Sequence, residues 1–332
     1  STLSSSTPIH PPRCGSPACA HMAEPREATR GLTGRIIAAF GRSYEVRPET
    51  DAGGTEVMTL KCSTRGKKSI FACGDRVEFD ATGSGQGVIN RLLPRENLLW
   101  RSDAFREKLI AANLTQIVIV VATEPGFSDL LVSRCIAAAE SEGLASLIVL
   151  NKADLSERLP DARARLAIFR TLGYAVLEVC AHESIDALAH RLSGQRSILV
   201  GQSGMGKSTL TNALIPEARA ATREISSALD TGKHTTTFAR LYPFGADGWI
   251  IDSPGLQAFG LAHLEPDTLA EQFVEFRPHL GQCRFRDCKH DGEPGCAIGA
   301  ALARGEISAA RDNHFRTIRA EINEARKQAQ GW

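Results

Sequence analysis

The sequence predicts an α/β fold: a parallel sheet with crossover helices around a phosphate-binding loop, a small β-barrel before it, and a mainly helical, metal-ligating segment after it. Three observations carry this. Apolar strands alternate with helical stretches between residues 116 and 200. The run Gly201-Gln202-Ser203-Gly204-Met205-Gly206-Lys207-Ser208 follows the last of those strands directly. Three cysteines and a histidine fall within the fourteen residues from Cys283 to Cys296.

A chain of 332 residues suits two or three domains. Hydrophobic residues make up 42% and charged residues 23%, and apolar runs such as 117–122 fall far short of the roughly 20 residues a membrane span needs. A soluble, cytoplasmic chain with no membrane partner is expected. The net charge of +1 does not decide for or against nucleic acid, because a basic patch can be balanced elsewhere. The nine cysteines are unevenly spread, and the C-terminal cluster favours metal in a reducing compartment over a disulfide framework. Residues 1–21 are rich in Ser and Pro and end near Ala20-His21-Met22, so they read as an expression tag, with a natural disordered tail as the alternative. Residues 22–31 then form a flexible N-terminal tail.

Within 32–98, short β-branched stretches alternate with Gly-rich breaks: 34–37, 43–46, 56–62, 75–79 and 87–89. About five strands at this spacing suggest a small barrel, OB-type first and SH3-like close behind. From 99 to 274 the pattern becomes that of a parallel sheet, with strands at 116–122, 146–150, 175–179 and 197–200 and helices at 129–142, 155–172 and 185–192. Residues 275–332 hold the Cys/His cluster and an Arg-rich amphipathic helix over 306–330.

The phosphate-loop run matches G-x-x-x-x-G-K-[ST] in the required context of a strand before and a helix after. Its glycines let backbone N–H groups converge on phosphate oxygens, the helix start adds positive potential, Lys207 reaches the β- and γ-phosphates, and Ser208, followed by Thr209, ligates Mg²⁺. The base is read elsewhere. Asn151-Lys152-Ala153-Asp154 ends the strand at 146–150, where open α/β sheets bind ligands. The Asp154 carboxylate can accept from guanine N1–H and the 2-amino group, a pair adenine does not offer, so GTP and GDP are the expected ligands. Asp252-Ser253-Pro254-Gly255 follows an apolar strand, placing Asp252 to hold Mg²⁺ through water and Gly255 to sense the γ-phosphate. The hydroxyl-rich stretch 232–237, with Thr235, Thr236 and Thr237, supplies the other expected switch.

The order of these motifs is permuted: Asn151 precedes Gly201 by fifty positions, whereas ordinary GTPases place the base-reading motif last. The sequence therefore resembles the RsgA (YjeQ) family of circularly permuted GTPases that depend on the small ribosomal subunit, from about Leu32 onward and with all four motifs intact. One departure from the Ras-like pattern bears on catalysis, because Leu256 stands where a water-positioning Gln would sit and Gln257 comes one place late. Slow intrinsic hydrolysis raised by a partner is expected, and the resemblance implies that the partner is the ribosome. His234, within the family's Gly-x-His-Thr-Thr-Thr motif, is the candidate for orienting water or neutralising charge. With Lys207, Thr236 and Thr237 it completes the catalytic set.

Cys283, Cys288, His290 and Cys296 offer a Cys₃His set, a structural zinc arrangement with no open position for chemistry, at one Zn²⁺ per chain. Cys62, Cys73, Cys135 and Cys180 read as packing residues. Candidate RNA surfaces are the barrel with Lys61, Arg65, Lys67 and Lys68, the segment with Arg91, Arg95 and Arg101, and the helix with Arg311, Arg316, Arg319, Arg326 and Lys327. The resemblance implies binding to ribosomal RNA of the immature small subunit, with GTP hydrolysis timing release. A GTP-gated RNA-binding module with incidental hydrolysis is the alternative, and a monomer is expected.

Overall fold

The computed structural model describes residues 30–49, 58–66, 70–83, 85–102, 107–218, 239–253 and 259–330. The expected tag and nearly all of the tail, His234 with Thr235 to Thr237, and Pro254 to Gln257 lie outside them, as do Lys67 and Lys68.

Five strands form the N-terminal barrel: β1 (Leu32–Phe40), β2 (Ser43–Pro48), β3 (Leu60–Thr64), β4 (Arg76–Gly83) and β5 (Gln86–Leu92). They follow the order β1-β2-β3-β5-β4, and β4 pairs back onto β1, which closes the barrel. The β3–β5 pairing is parallel and the others antiparallel. Alternation sends Ile36, Tyr44, Val46, Cys62, Val77, Phe79 and Ile89 inward to make its core. Beneath it, the fully buried Asp75 carboxylate is clamped by Arg95 at 2.6 and 2.7 Å.

Next comes an antiparallel ribbon that the sequence pattern did not reveal, β6 (Leu98–Ser102) with β7 (Glu107–Ala112). It wedges between barrel and sheet: Ala112 N donates to Cys73 O at 2.8 Å, and Ser102 N donates to Gly260 O at 3.2 Å. Its exposed positions are Glu107 and Lys108 at one end, while Leu99 and Ile110 to Ala112 are buried.

The central sheet runs β10-β9-β8-β11-β13-β12. β8 (Gln116–Ala122), β9 (Ala145–Asn151), β10 (Ala175–Glu178), β11 (Arg196–Val200) and β13 (Gly248–Asp252) are parallel, and β12 (Arg240–Phe244) closes the edge antiparallel. The central strands are near-continuous Val/Ile/Leu because both faces are covered. Crossovers are made by α1 (Asp129–Ser141), α2 (Leu159–Thr171) and α3 (Asp186–Leu192), while α4 (Lys207–Leu214) follows the phosphate loop. Pro160 in its first turn starts α2 four residues later than the apolar pattern suggests. The barrel joins this sheet at the Ala38–Arg240 pairing of β1 with β12, an Arg240–Glu45 ion pair at 2.9 Å, and the Arg35 guanidinium 4.3 Å above the Trp249 ring.

The C-terminal part packs α5 (Ala297–Ala303) and α6 (Ala309–Ala329) around Phe273, Phe276 and Phe315, whose ring centroids lie 5.0–5.4 Å apart. Its seam with α1 is polar. Arg311, 1% exposed, pairs with Glu275 at 2.6 Å and donates to Ser133 Oγ at 2.7 Å, while His314 Nδ1 sits 2.9 Å from the same hydroxyl. Removing one partner of so buried a pair costs about 3–5 kcal/mol by the behaviour of such pairs generally.

On α6, Arg311 is buried and so is not part of any basic surface, while Arg316, Arg319 and Arg326 are half-buried and paired and Lys327 is exposed. Arg316 pairs with Asp312 and Asp291, Arg319 donates to Lys289 O, and Arg326 pairs with Glu265. Arg95 is engaged with Asp75, and Arg91 pairs with Glu78 while staying largely exposed. On the barrel, Lys61 and Arg65 remain exposed.

Candidate functional site

All the nucleotide motifs that fall in described residues converge on one edge of the sheet, the carboxyl ends of β9, β11 and β13. After Val200 the chain turns at Gly201, at φ 145°, so close to β8 that a Cβ there would lie 2.2 Å from Val120 O. The loop closes at Gly206, at φ 89°, where a Cβ would meet Asn151 Nδ2 at 2.3 Å. Only glycine fits either place. α4 starts at Lys207, with its first turn facing the loop.

Asn151 spans the permutation: its Nδ2 donates to Met205 O at 3.0 Å, tying the end of β9 to the phosphate loop. Its Oδ1 is buried without a partner. Lys152, at φ 60°, donates through Nζ to Glu124 O at 2.7 Å, and Thr123 Oγ1 donates to Lys152 O at 3.0 Å. Asp154 follows, exposed to solvent. Gln202 Oε1 accepts from Ser128 N at 3.0 Å, which links the loop to the start of α1. Met205 is buried, while Ser203, Gly204, Ser208 and Thr209 face solvent.

Lys207, 6% exposed, donates through Nζ to Gly201 O at 2.9 Å and Gln202 O at 2.8 Å. Burial lowers its pKa, partly offset by Asp252. Ser208 Oγ donates to Asp252 Oδ2 at 3.4 Å, whereas Asp252 Oδ1 is buried with no partner. Burial pushes the Asp252 carboxyl up to about 6, against the opposing pull of Lys207 and Ser208. A buried, half-unsatisfied carboxylate beside a serine hydroxyl and a buried ammonium fits a divalent cation with a polyphosphate.

The sequence reading missed the turn after β10. Ala153 N donates to Val179 O at 3.1 Å and Val179 N to Leu150 O at 2.9 Å, which binds that turn to the Asn151–Asp154 motif. The available signal was topological: β10 ends on the same sheet edge.

The Cys₃His set is also assembled. Cys283, Cys288, His290 and Cys296 place their ligand atoms within 4.8 Å of one another, with His290 Nδ1 3.5 Å from both the Cys283 and Cys296 sulfurs. Ligands at about 2.3 Å (S) and 2.0–2.1 Å (N) around a tetrahedral ion are themselves about 3.5 Å apart, so the spacing suits Zn²⁺. Ala297 N and Gly299 N donate to the Cys283 and Cys296 sulfurs at 3.3 and 3.4 Å, as suits thiolates. The Glu293 carboxylate accepts from Lys289 N and Asp291 N, bracing the turn that carries His290 at φ 60°.

Residues 92–262 match the family model described as RsgA GTPase. A protein of Nitrosospira multiformis named small ribosomal subunit biogenesis GTPase RsgA is 50% identical over 292 residues, 88% of this chain and 91% of its own length. The chain belongs to the RsgA GTPase family. A Burkholderia pseudomallei protein of the same name is 55% identical over 293 residues, 86% of this chain and 92% of that one. The crystal structure of YjeQ from Thermotoga maritima superposes with a TM-score of 0.66 at 30% identity, covering 88% of this chain and 98% of that one. YloQ, described as a circularly permuted GTPase, gives 0.65 at 26% identity, covering 89% and 96%. The permuted RsgA architecture read from motif order is thus the fold of this chain.

The strained carboxylate yields a prediction. Because the folded Asp252 carboxyl sits at about 6 against an ordinary 3.8, ionising it costs stability that grows as pH rises from about 4 through 6. Asp252→Asn should therefore stabilise the nucleotide-free protein at pH 7.5 by up to about 3 kcal/mol, with the gain vanishing below pH 4. Chemical denaturation across that range checks it. No stabilisation at pH 7.5 would show that the carboxylate is better solvated than its burial implies.

Proposed function

We propose that this chain is a GTP hydrolase that acts on the small ribosomal subunit and couples hydrolysis to late assembly or to its own release. The observation that carries the nucleotide part is the Asn151–Met205 hydrogen bond, which joins a base-reading motif to a phosphate loop lying after it in the chain. The relatives' name, small ribosomal subunit biogenesis GTPase, supports the partner.

In this reading Asp154 selects guanine, and backbone N–H groups from Gly201 to Thr209 cradle the phosphates. Lys207 exchanges its two loop carbonyls for phosphate oxygens. Ser208 and Asp252 would hold Mg²⁺, with one of Thr235 to Thr237 joining them in the triphosphate state. Bound Mg²⁺ would neutralise charge developing on the β- and γ-oxygens. Leu256 cannot orient water, so His234 takes that part, or neutralises charge, when the small subunit is bound. Residues 32–98, 99–274 and 275–332 act as barrel, nucleotide domain and zinc-bearing domain. The partner surface includes ribosomal RNA, with Lys61 and Arg65 the exposed barrel contacts. The chain is read as a monomer working on cytoplasmic ribosomes; no described helix is long and apolar enough to cross a membrane.

Two outcomes are expected. GTP turnover should be slow alone and rise at least tenfold with purified small subunits, but not with large subunits or free ribosomal RNA. Unchanged turnover with small subunits would remove the proposed partner. Metal analysis should find one zinc per chain, and Cys288→Ser or His290→Ala should make 275–332 protease-sensitive while GDP binding persists. A zinc-free protein with a resistant C-terminal segment would refute the metal assignment.

A further inference from the structure

Asp252 ends β13, and Ser253 just beyond it is fixed: it is buried, and its Oγ donates to Leu199 O at 2.6 Å. The chain is fixed again from Phe259, which is fully buried. Gly260 to Ala262 then run beside β6 of the ribbon. A parallel bridge joins Leu261 to Ser102, Ser102 N donates to Gly260 O at 3.2 Å, and Ala262 N donates to Ser102 O at 3.4 Å. Residues 254–258, Gly255 among them, connect these two anchors.

Side chains hold the second anchor as well. The half-buried His263 imidazole lies on the Trp100 indole of β6, ring centroids 4.3 Å apart and planes 30° from parallel, and its Nδ1 is 3.1 Å from Ser102 Oγ. Next along the chain, Arg326 of α6 donates to Leu264 O at 3.2 Å and pairs with Glu265 at 2.7 Å. Burial holds the imidazole pKa down at about 4, so at neutral pH the ring is uncharged and acts as a flat packing group with one hydrogen bond, not as a cation.

We propose that His263 is a positioning residue for GTP hydrolysis: by stacking on Trp100 it pins the downstream end of the second switch, so that the Gly255 N–H meets the γ-phosphate. A segment held at both ends has fewer conformations to lose when a ligand orders it. The inference rests on the reading of Gly255 as the γ-phosphate sensor. GDP has no γ-phosphate and draws nothing from that contact, so releasing the anchor penalises the triphosphate alone. A purely structural role for His263 would lower both affinities through the folded fraction and leave their ratio unchanged.

The test is competition between GDP and the non-hydrolysable β,γ-imido analogue of GTP, with Mg²⁺, on nucleotide-free full-length protein, together with the single-turnover rate of GTP hydrolysis. His263→Ala and Trp100→Leu should each lower the analogue-to-GDP affinity ratio about tenfold, the size of a lost aromatic contact with its hydrogen bond, and slow hydrolysis by a similar factor. GDP affinity should stay within about twofold of wild type. The double variant should be no worse than either single one, because the two rings make one contact. His263→Phe, which keeps a ring on Trp100, should stay within about threefold of wild type. Equal weakening of both nucleotides, an unchanged ratio in His263→Ala and Trp100→Leu, or additive losses in the double variant overturns the proposal. Gly255→Ala, which puts a side chain at the sensing position, should lower the ratio whatever His263 does. If it leaves the ratio unchanged, the switch assignment fails and the proposal with it. If it lowers the ratio and the His263 variants do not, only the role of His263 falls.

Discussion

The hydrogen bond from Asn151 Nδ2 to Met205 O is the contact on which the nucleotide site depends. It exists because β9, β8 and β11 lie side by side and parallel, so that their carboxyl ends emerge on one edge within about 10 Å, two strand spacings. With the strands in that order, Gly201 must pass against Val120 and Gly206 against Asn151, where no Cβ fits. The loop is thereby shaped before any phosphate arrives. Sheet adjacency alone fixes this, and covalent order does not enter, which is how a permuted chain keeps a working constellation.

What permutation changes is the attachment of the flanking parts. The barrel docks on the antiparallel edge, through β1 on β12 and Arg35 on Trp249, in the same hairpin that delivers Asp252. The C-terminal part docks on α1 through Arg311, Glu275 and Ser133, and the start of α1 touches the phosphate loop through Gln202. Each flank thus rests on an element that ends in the site. The packing therefore connects the C-terminal part to the phosphate loop through α1.

Legibility followed the range of the interaction. The parallel strands were readable because burial on both faces writes an apolar run, and β8 spans the residues its pattern indicated. The Cys₃His set was readable because its ligands are near neighbours in the chain, and the glycine positions because a phosphate loop constrains its own backbone. The ribbon β6–β7 was not, since its short apolar stretches, 98–100 and 109–112, are interrupted by charged residues. Nor was β12, an edge strand carrying Pro243. The α6 arginines looked like a free basic face because their acids, Glu275, Asp291 and Glu265, come from other turns of the fold.

The central claim is that this permuted edge reads guanine. It is tested most directly by calorimetric titration of GDP and ADP into nucleotide-free protein with Mg²⁺. A carboxylate facing N1–H and the 2-amino group leaves adenine with unpaired polar groups, so GDP should bind at least about a hundredfold more tightly. Comparable affinities for GDP and ADP would contradict the account.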